Sequence, residues 1–177
     1  PTVCSQLAEA GFDVIGVGKI YDIFAGQGIT KSYPSKNNQE GIEHLVKLLR
    51  DPSWQGLLWA NLVDFDMLWG HRNDIEGYAQ GLEEFDASLP EILRHLGEKD
   101  VLLISADHGC DPTTDSTDHS REYVPLLIYG EKVRAGLDLG TRSTFADVGA
   151  TIAELLGLKP LPTGTSLAGL VLRKDNA

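Results

Sequence analysis

The run Leu102 to His119, LLISADHGCDPTTDSTDH, constrains the chain most, because an apolar segment stops at Asp-His-Gly and opens into a carboxylate-rich loop. Val101 to Ile104 are consecutive aliphatic residues, the pattern of a strand buried on both faces of a parallel sheet. Ligands of open α/β sheets bind just beyond such strand ends, so the chemistry is expected to begin at Asp107. In a continuing strand Asp107 and His108 would point to opposite faces. A shared site therefore requires a turn, for which Gly109 supplies the φ freedom. Asp111, Asp115, Asp118 and His119 follow closely. Carboxylates this dense repel one another unless cations or solvent separate them, and imidazole with carboxylate is ordinary ligation for a divalent ion. Asp111 and Asp115 read as a solvated acidic loop, whereas Asp107, His108 and His119 read as ligands.

A second apolar run, Leu57 to Val63, also opens into charge, with Asp64, Asp66, Gly70, His71, Arg72 and Asp74. Gly70 allows a bend that lets Asp66 and His71 converge. Either residue alone would read as a capping Asp or a hydrogen-bonded His. Two His/Asp clusters at strand ends of one sheet, whose neighbours sit ~5 Å apart, instead suggest a joint site. Five or six N/O ligands suit two ions that clamp the oxygens of a phosphoryl group. A third strand, Phe12 to Val17, ends in Gly-Val-Gly-Lys, which lacks the third glycine of a dinucleotide fingerprint. If it ends on the same rim, Lys19 brings a cation suited to docking phosphate.

The remaining pattern alternates helices and strands. Helices are expected over Thr2 to Ala10, from Asn37 or Asn38 to Arg50, over Ile75 to Leu96 with a kink at Pro90, and over Thr144 to Leu156 before Gly157. The third has an apolar stripe that includes Tyr78, Leu82, Phe85, Leu89 and Ile92, and the last turns Phe145, Val148, Ile152 and Leu155 inward. Ile23 to Lys36 reads as a loop, Val124 to Tyr129 as a strand, and Leu161 to Leu172 as a glycine-rich stretch closing in a short edge strand before a charged tail. His44 and His95 read as surface or boundary residues. This order predicts a three-layer α/β/α sandwich with a largely parallel sheet.

Composition narrows the partners. A net charge of −11 and a pI near 4.7 argue against nucleic acid and anionic membranes. No run approaches the ~18 apolar residues of a membrane span, and no signal-peptide pattern opens the chain. Cys4 and Cys110 have no metal or redox spacing, which suggests a reduced, cytoplasmic setting. With 177 residues and 42% apolar content the chain is one domain or a large part of one. Its start at Pro1 rather than Met suggests a piece of a longer product.

Three stretches carry a resemblance: NLVDFDMLWGHRND (Asn61 to Asp74), SADHGCDPTT (Ser105 to Thr114) and TDHSREYVPLLIYG (Thr117 to Gly130), with GKIYDIFAGQGIT (Gly18 to Thr30) in agreement. The chain resembles the phosphopentomutases of the alkaline phosphatase superfamily over nearly its whole length. ADHG is shared across that superfamily, including cofactor-independent phosphoglycerate mutases, while DFDMLWGHRN with DHSREYVP is far narrower. The resemblance implies an isomerase of nucleoside and pentose phosphate metabolism. Such an enzyme interconverts (deoxy)ribose 1-phosphate and 5-phosphate through a phosphothreonine and two divalent ions, usually manganese.

It further implies one ion held by Asp66, His71 and His119, and a second taking Asp107 and His108 together with residues not present here. The nucleophilic threonine and the sugar-binding cap are likewise expected outside this chain, leaving residues 1–177 as the C-terminal portion of the metal-binding core. Thr113, Thr114 and Thr117 lie on the wrong motif to be that nucleophile. The competing expectations are another enzyme of the superfamily, or a non-catalytic metal-binding part that needs its N-terminal half. An open sandwich without an N-terminal strand and helix exposes a sheet face or edge, so the isolated chain is expected to self-associate. Light scattering checks this, and a strictly monomeric, high-melting chain would refute it.

Overall fold

The structure, a computed structural model, describes residues 2–173, and the charged tail from Lys174 onward lies outside the described residues. In order the elements are α1 (Val3–Glu9), β1 (Asp13–Val17), α2 (Ile20–Ile23), β2 (Lys31–Tyr33), α3 (Asn38–Leu49) and β3 (Gly56–Ala60). A π-helical turn (Phe65–Trp69) and a 3-10 turn (Gly70–Arg72) come next, followed by α4 (Ile75–Arg94), β4 (Leu102–Ser105), β5 (Leu126–Tyr129), α5 (Ala146–Leu155) and α6 (Ala168–Val171). No helix among the described residues is long and apolar enough to cross a membrane.

β2, β1 and β3 form a parallel sheet in that order, with Val17 opposite Ala60. Its two faces separate by residue parity, as the pleat requires. Val14, Leu57 and Trp59 pack with Val3, Leu7 and Ile152 of α1 and α5. Ile15, Val17, Leu58 and Ala60 pack with Leu48 of α3 on the other side. This is the expected sandwich. Gly18, at φ +77°, sits so close to the Asn61 carbonyl that a Cβ would lie 2.4 Å from it, which locks the ends of β1 and β3 together.

β4 departs from the expectation of a strand buried on both faces of a parallel sheet. It pairs antiparallel with β5, and residues 106–125 return without a crossover helix, which an antiparallel partner does not need. Leu103, Leu126 and Ile128 face the cores built on α1, α5 and α6. The opposite face carries Leu127 and Tyr129, both more than half exposed. Between β3 and β4 there is no strand pairing among the described residues.

Further differences have local causes. Ile23 to Lys36 is not a plain loop, because its Lys31-Ser32-Tyr33 forms β2, a short edge strand with no apolar alternation to read, tied by Lys31 to Asp13 at 3.0 Å. The expected edge strand near Leu172 is replaced by α6 and a single bridge to Val133. Phe145 is exposed at the N-terminal edge of α5. α4 runs through Pro90 as one helix.

Leu82 also lies outside its expected stripe, with 53% exposure, because the inner face of α4 is a notch and not a ridge. The Trp69 ring fills that notch, and a Cβ at Gly81 would lie 2.2 Å from its Cζ3 and one at Gly77 2.4 Å from its Cδ1. Phe65 completes the cluster, meeting Trp69 and Tyr78 edge-on with centroids 5.2 Å apart in each pair. The aromatic contacts anchor the π turn that carries Asp66. Replacing Gly81 by Ala gains about 1 kcal/mol of helix propensity but drives a methyl into the indole, where overpacking costs about 1–3 kcal/mol. Steric loss wins, so Gly81→Ala is expected to lower stability in denaturant unfolding. An unchanged or raised midpoint would refute the notch.

Candidate metal centre

Three segments supply the site. The chain leaves β3 at the rim where β1 ends, and a reciprocal buried pair fixes its course. The Asn38 N–H donates to Asp64 Oδ2 at 2.7 Å, and the Asp64 N–H donates to Asn38 Oδ1 at 2.9 Å. The π turn begins at the next residue, Phe65. Residues five apart on an α-helix are rotated by about 140°, on nearly opposite sides. In the π turn the Gly70 N–H reaches back to the Phe65 carbonyl, an i to i+5 bond that stacks such residues on one side. Asp66 and His71 therefore share a face, and His71 Nε2 lies 3.1 Å from Asp66 Oδ1. Gly70 is required there, since Cys110 Sγ would lie 2.5 Å from a Cβ.

The second and third segments come from the β4 exit and its loop. His119 Nε2 lies 3.1 Å from the same Asp66 Oδ1, and His108 Nε2 lies 3.8 Å from it. The imidazoles stack, with centroids 3.6 Å apart for His108 and His119 and 4.8 Å for His71 and His119. Asp66, His108 and His119 each present a ligand atom within 4.8 Å of the others. Asp107 is 64% exposed and touches the cluster only through His108 Nε2, at 3.8 Å. His108 thus lies between the two carboxylates, and not only beside Asp107.

Proton placement singles out Asp66. A carbonyl can only accept, so the 2.6 Å contact between His71 Nδ1 and the Thr117 carbonyl puts the proton on Nδ1. In the neutral ring Nε2 then turns a lone pair toward the Asp66 carboxylate. His108 has the same arrangement, its Nδ1 donating to the Gly109 carbonyl at 3.2 Å. Acceptors crowded on one another in this way call for a proton or a cation among them, and neutral imidazole with carboxylate is a donor set for divalent transition metals.

Other carboxylates are satisfied. The Thr165 N–H and the Arg142 guanidinium hold the Asp147 carboxyl below its ordinary range. The Thr113 hydroxyl and N–H do the same for Asp111, which closes a local turn. Asp115 and Asp118 are exposed. Burial pushes the Cys110 thiol up, and the charges of Asp66 and Asp111 push it further, so it packs against Gly70 as a thiol. Lys19 is exposed immediately after β1, on the rim shared with β3.

Sequence reasoning missed the Asn38–Asp64 pair and Asn73, whose Nδ2 donates to the Thr114 carbonyl at 2.8 Å. The signal for the pair was faint: two polar residues at the start of a helix and the end of a strand, far apart in the chain.

An α/β sandwich with His/Asp clusters at its strand ends defines a metal-dependent class, and the chain belongs to the Metalloenzyme superfamily, whose family profile matches residues 5–160. Among its curated relatives are phosphopentomutases. That of Desulfitobacterium hafniense (strain DSM 10664 / DCB-2) is 61% identical over 164 residues, 93% of this chain and 42% of the relative. That of Carboxydothermus hydrogenoformans is 58% identical, over 90% of this chain and 41% of the relative. For Thermotoga maritima the identity is 54%, over 96% and 44%. The chain thus spans about two fifths of the length of these relatives.

The geometry ranks the carboxylates. Asp66→Asn is expected to weaken manganese binding by more than the about 10–100-fold that an outer hydrogen-bond partner contributes, and Asp107→Asn by less than Asp66→Asn. Calorimetric titration of both variants checks the order. Equal losses would refute the central place of Asp66.

Proposed function

We propose that the protein carrying this chain is a phosphopentomutase, interconverting (deoxy)ribose 1-phosphate and (deoxy)ribose 5-phosphate in the cytoplasm. Asp66 carries this reading, since the Nε2 atoms of His71 and His119 meet one carboxylate oxygen at 3.1 Å. The likeness to enzymes of that name over nine tenths of the chain supports the substrate.

In this reading Asp66, His71 and His119 hold one divalent ion, and Asp107 and His108 contribute to a second, both manganese. The donor types fit, with His71 and His119 Nε2 each 3.1 Å from Asp66 Oδ1, His108 Nε2 3.8 Å from Asp107 Oδ1, and Asp66, His108 and His119 offering ligand atoms within 4.8 Å of one another. Two bound ions supply charge neutralisation for the phosphoryl oxygens and activate a hydroxyl nucleophile. The residues of this chain do the rest. The Thr117 and Gly109 carbonyls keep His71 and His108 in the tautomer whose Nε2 is free, and Lys19 offers a cation for substrate phosphate.

The nucleophile is a threonine outside residues 1–177. Thr113 and Thr114 are unsuited, because their hydroxyls donate to Asp111 Oδ1 at 2.7 Å and to the Asp111 carbonyl at 3.0 Å. Residues 1–177 form a portion of a single core domain, and the substrate cap lies elsewhere in the full-length protein. The exposed Leu127 and Tyr129 face suits the self-association expected of the isolated chain.

The full-length protein is expected to convert ribose 1-phosphate to ribose 5-phosphate, to lose this on chelation, to regain it with manganese, and to leave phosphoglycerate untouched. Coupled assays before and after exhaustive metal removal decide this, and undiminished turnover without metal would refute it.

A further inference from the structure

Asn73 stands out beside the metal cluster without belonging to it. It ends the 3-10 turn in a left-handed conformation, φ +52° and ψ +34°, one of two non-glycine residues with positive φ among those described. Its own N–H bonds to the Gly70 carbonyl at 3.2 Å. From there its side chain crosses to the tip of the loop that carries His119, where Nδ2 donates to the Thr114 carbonyl at 2.8 Å. Its Oδ1 is buried with no hydrogen-bond partner among the described residues, so the Nδ2 bond alone orients the amide. The reverse orientation would set two oxygens against each other.

The loop needs such a tie. At its base Ser120 bonds back to Gly109 and Asp111, with the Ser120 N–H 3.1 Å from the Gly109 carbonyl and the Asp111 N–H 2.9 Å from Ser120 Oγ. At its tip the bonds among Asp111, Thr113, Thr114, Ser116 and Asp118 are all internal. Besides the His119 to Asp66 contact itself, two hydrogen bonds among the described residues join this loop to the 3-10 turn, one from His71 to the Thr117 carbonyl and one from Asn73 to the Thr114 carbonyl.

We propose that Asn73 is a positioning residue, whose amide fixes the Asp111–His119 loop on the 3-10 turn and thereby holds His119 against Asp66. The consequence for metal affinity rests on the metal reading above, whereas the fixing of the loop does not.

Asn73→Gly separates this role from a purely conformational one, since glycine adopts the left-handed backbone without strain and only the amide is lost. In the metal-free protein, backbone 15N order parameters from Thr114 to Asp118 are expected to fall from ~0.85 toward ~0.6. Manganese affinity, read by electron paramagnetic resonance, should weaken about tenfold, and that loss should vanish in a His119→Ala background because Asn73 acts through His119. In the unaltered protein an Asn73 side-chain amide proton should be protected from exchange, a readout independent of how the variant folds. A loop that stays rigid in Asn73→Gly, an affinity loss equal with and without His119, or an unprotected amide proton overturns the proposal. Absence of manganese binding by the unaltered protein would count against the metal reading alone, because loop order in the metal-free state still decides the role of Asn73.

Discussion

One carboxylate oxygen organises the rim of this sheet. Asp66 Oδ1 is approached by imidazoles from three segments, the 3-10 turn, the β4 exit and the loop beyond it. Elsewhere the structure satisfies a buried carboxylate with hydrogen donors, as Asp64 receives the Asn38 N–H and Asp147 receives Thr165 and Arg142. At Asp66 the neighbours with assignable protons turn lone pairs inward instead. Acceptors held this close repel one another unless a proton or a cation lies among them, so this is the place where the fold is arranged around something it does not itself supply.

Much of this arrangement is already written in the local pattern of residues. The two rim segments show themselves where aliphatic runs give way to Asp and His, shortly after Ala60 of the parallel strand β3 and after Ser105 of the antiparallel β4. The helix starts at Asn37 and Asp74 are equally plain, since each side chain caps an orphan N–H, of Glu40 and Gly77 respectively. Hidden were the features fixed by distant partners. β2 is only Lys31, Ser32 and Tyr33, the first two exposed and the third half-buried against the cluster that holds Leu48, and it forms where β1 offers its edge. Leu82 was placed inward by periodicity, but the inner face of α4 belongs to a ring from another segment.

The grouping of ligands was legible only in outline. Asp66, His71, Asp107, His108 and His119 are conspicuous as residue types, and the two strand-end clusters they form suggest one joint site without saying which residues meet. In the structure His108 bridges them, standing 3.8 Å from each of the two carboxylates. β3 and β4 are not paired among the described residues, so this meeting is made by the loops beyond the strands and not by strand adjacency.

The π turn from Phe65 to Trp69 gives the site an unusual tolerance profile. A side chain that changes size can be absorbed by neighbours that shift, but a turn closed by an i to i+5 bond works as a counter of residues. An α-helical count over the same five residues would carry His71 about 140° around the axis from Asp66 and withdraw Trp69 from its slot between Gly77 and Gly81. The segment therefore depends on its turn type as strictly as on its side chains, and its backbone closure stores as much information as its chemistry.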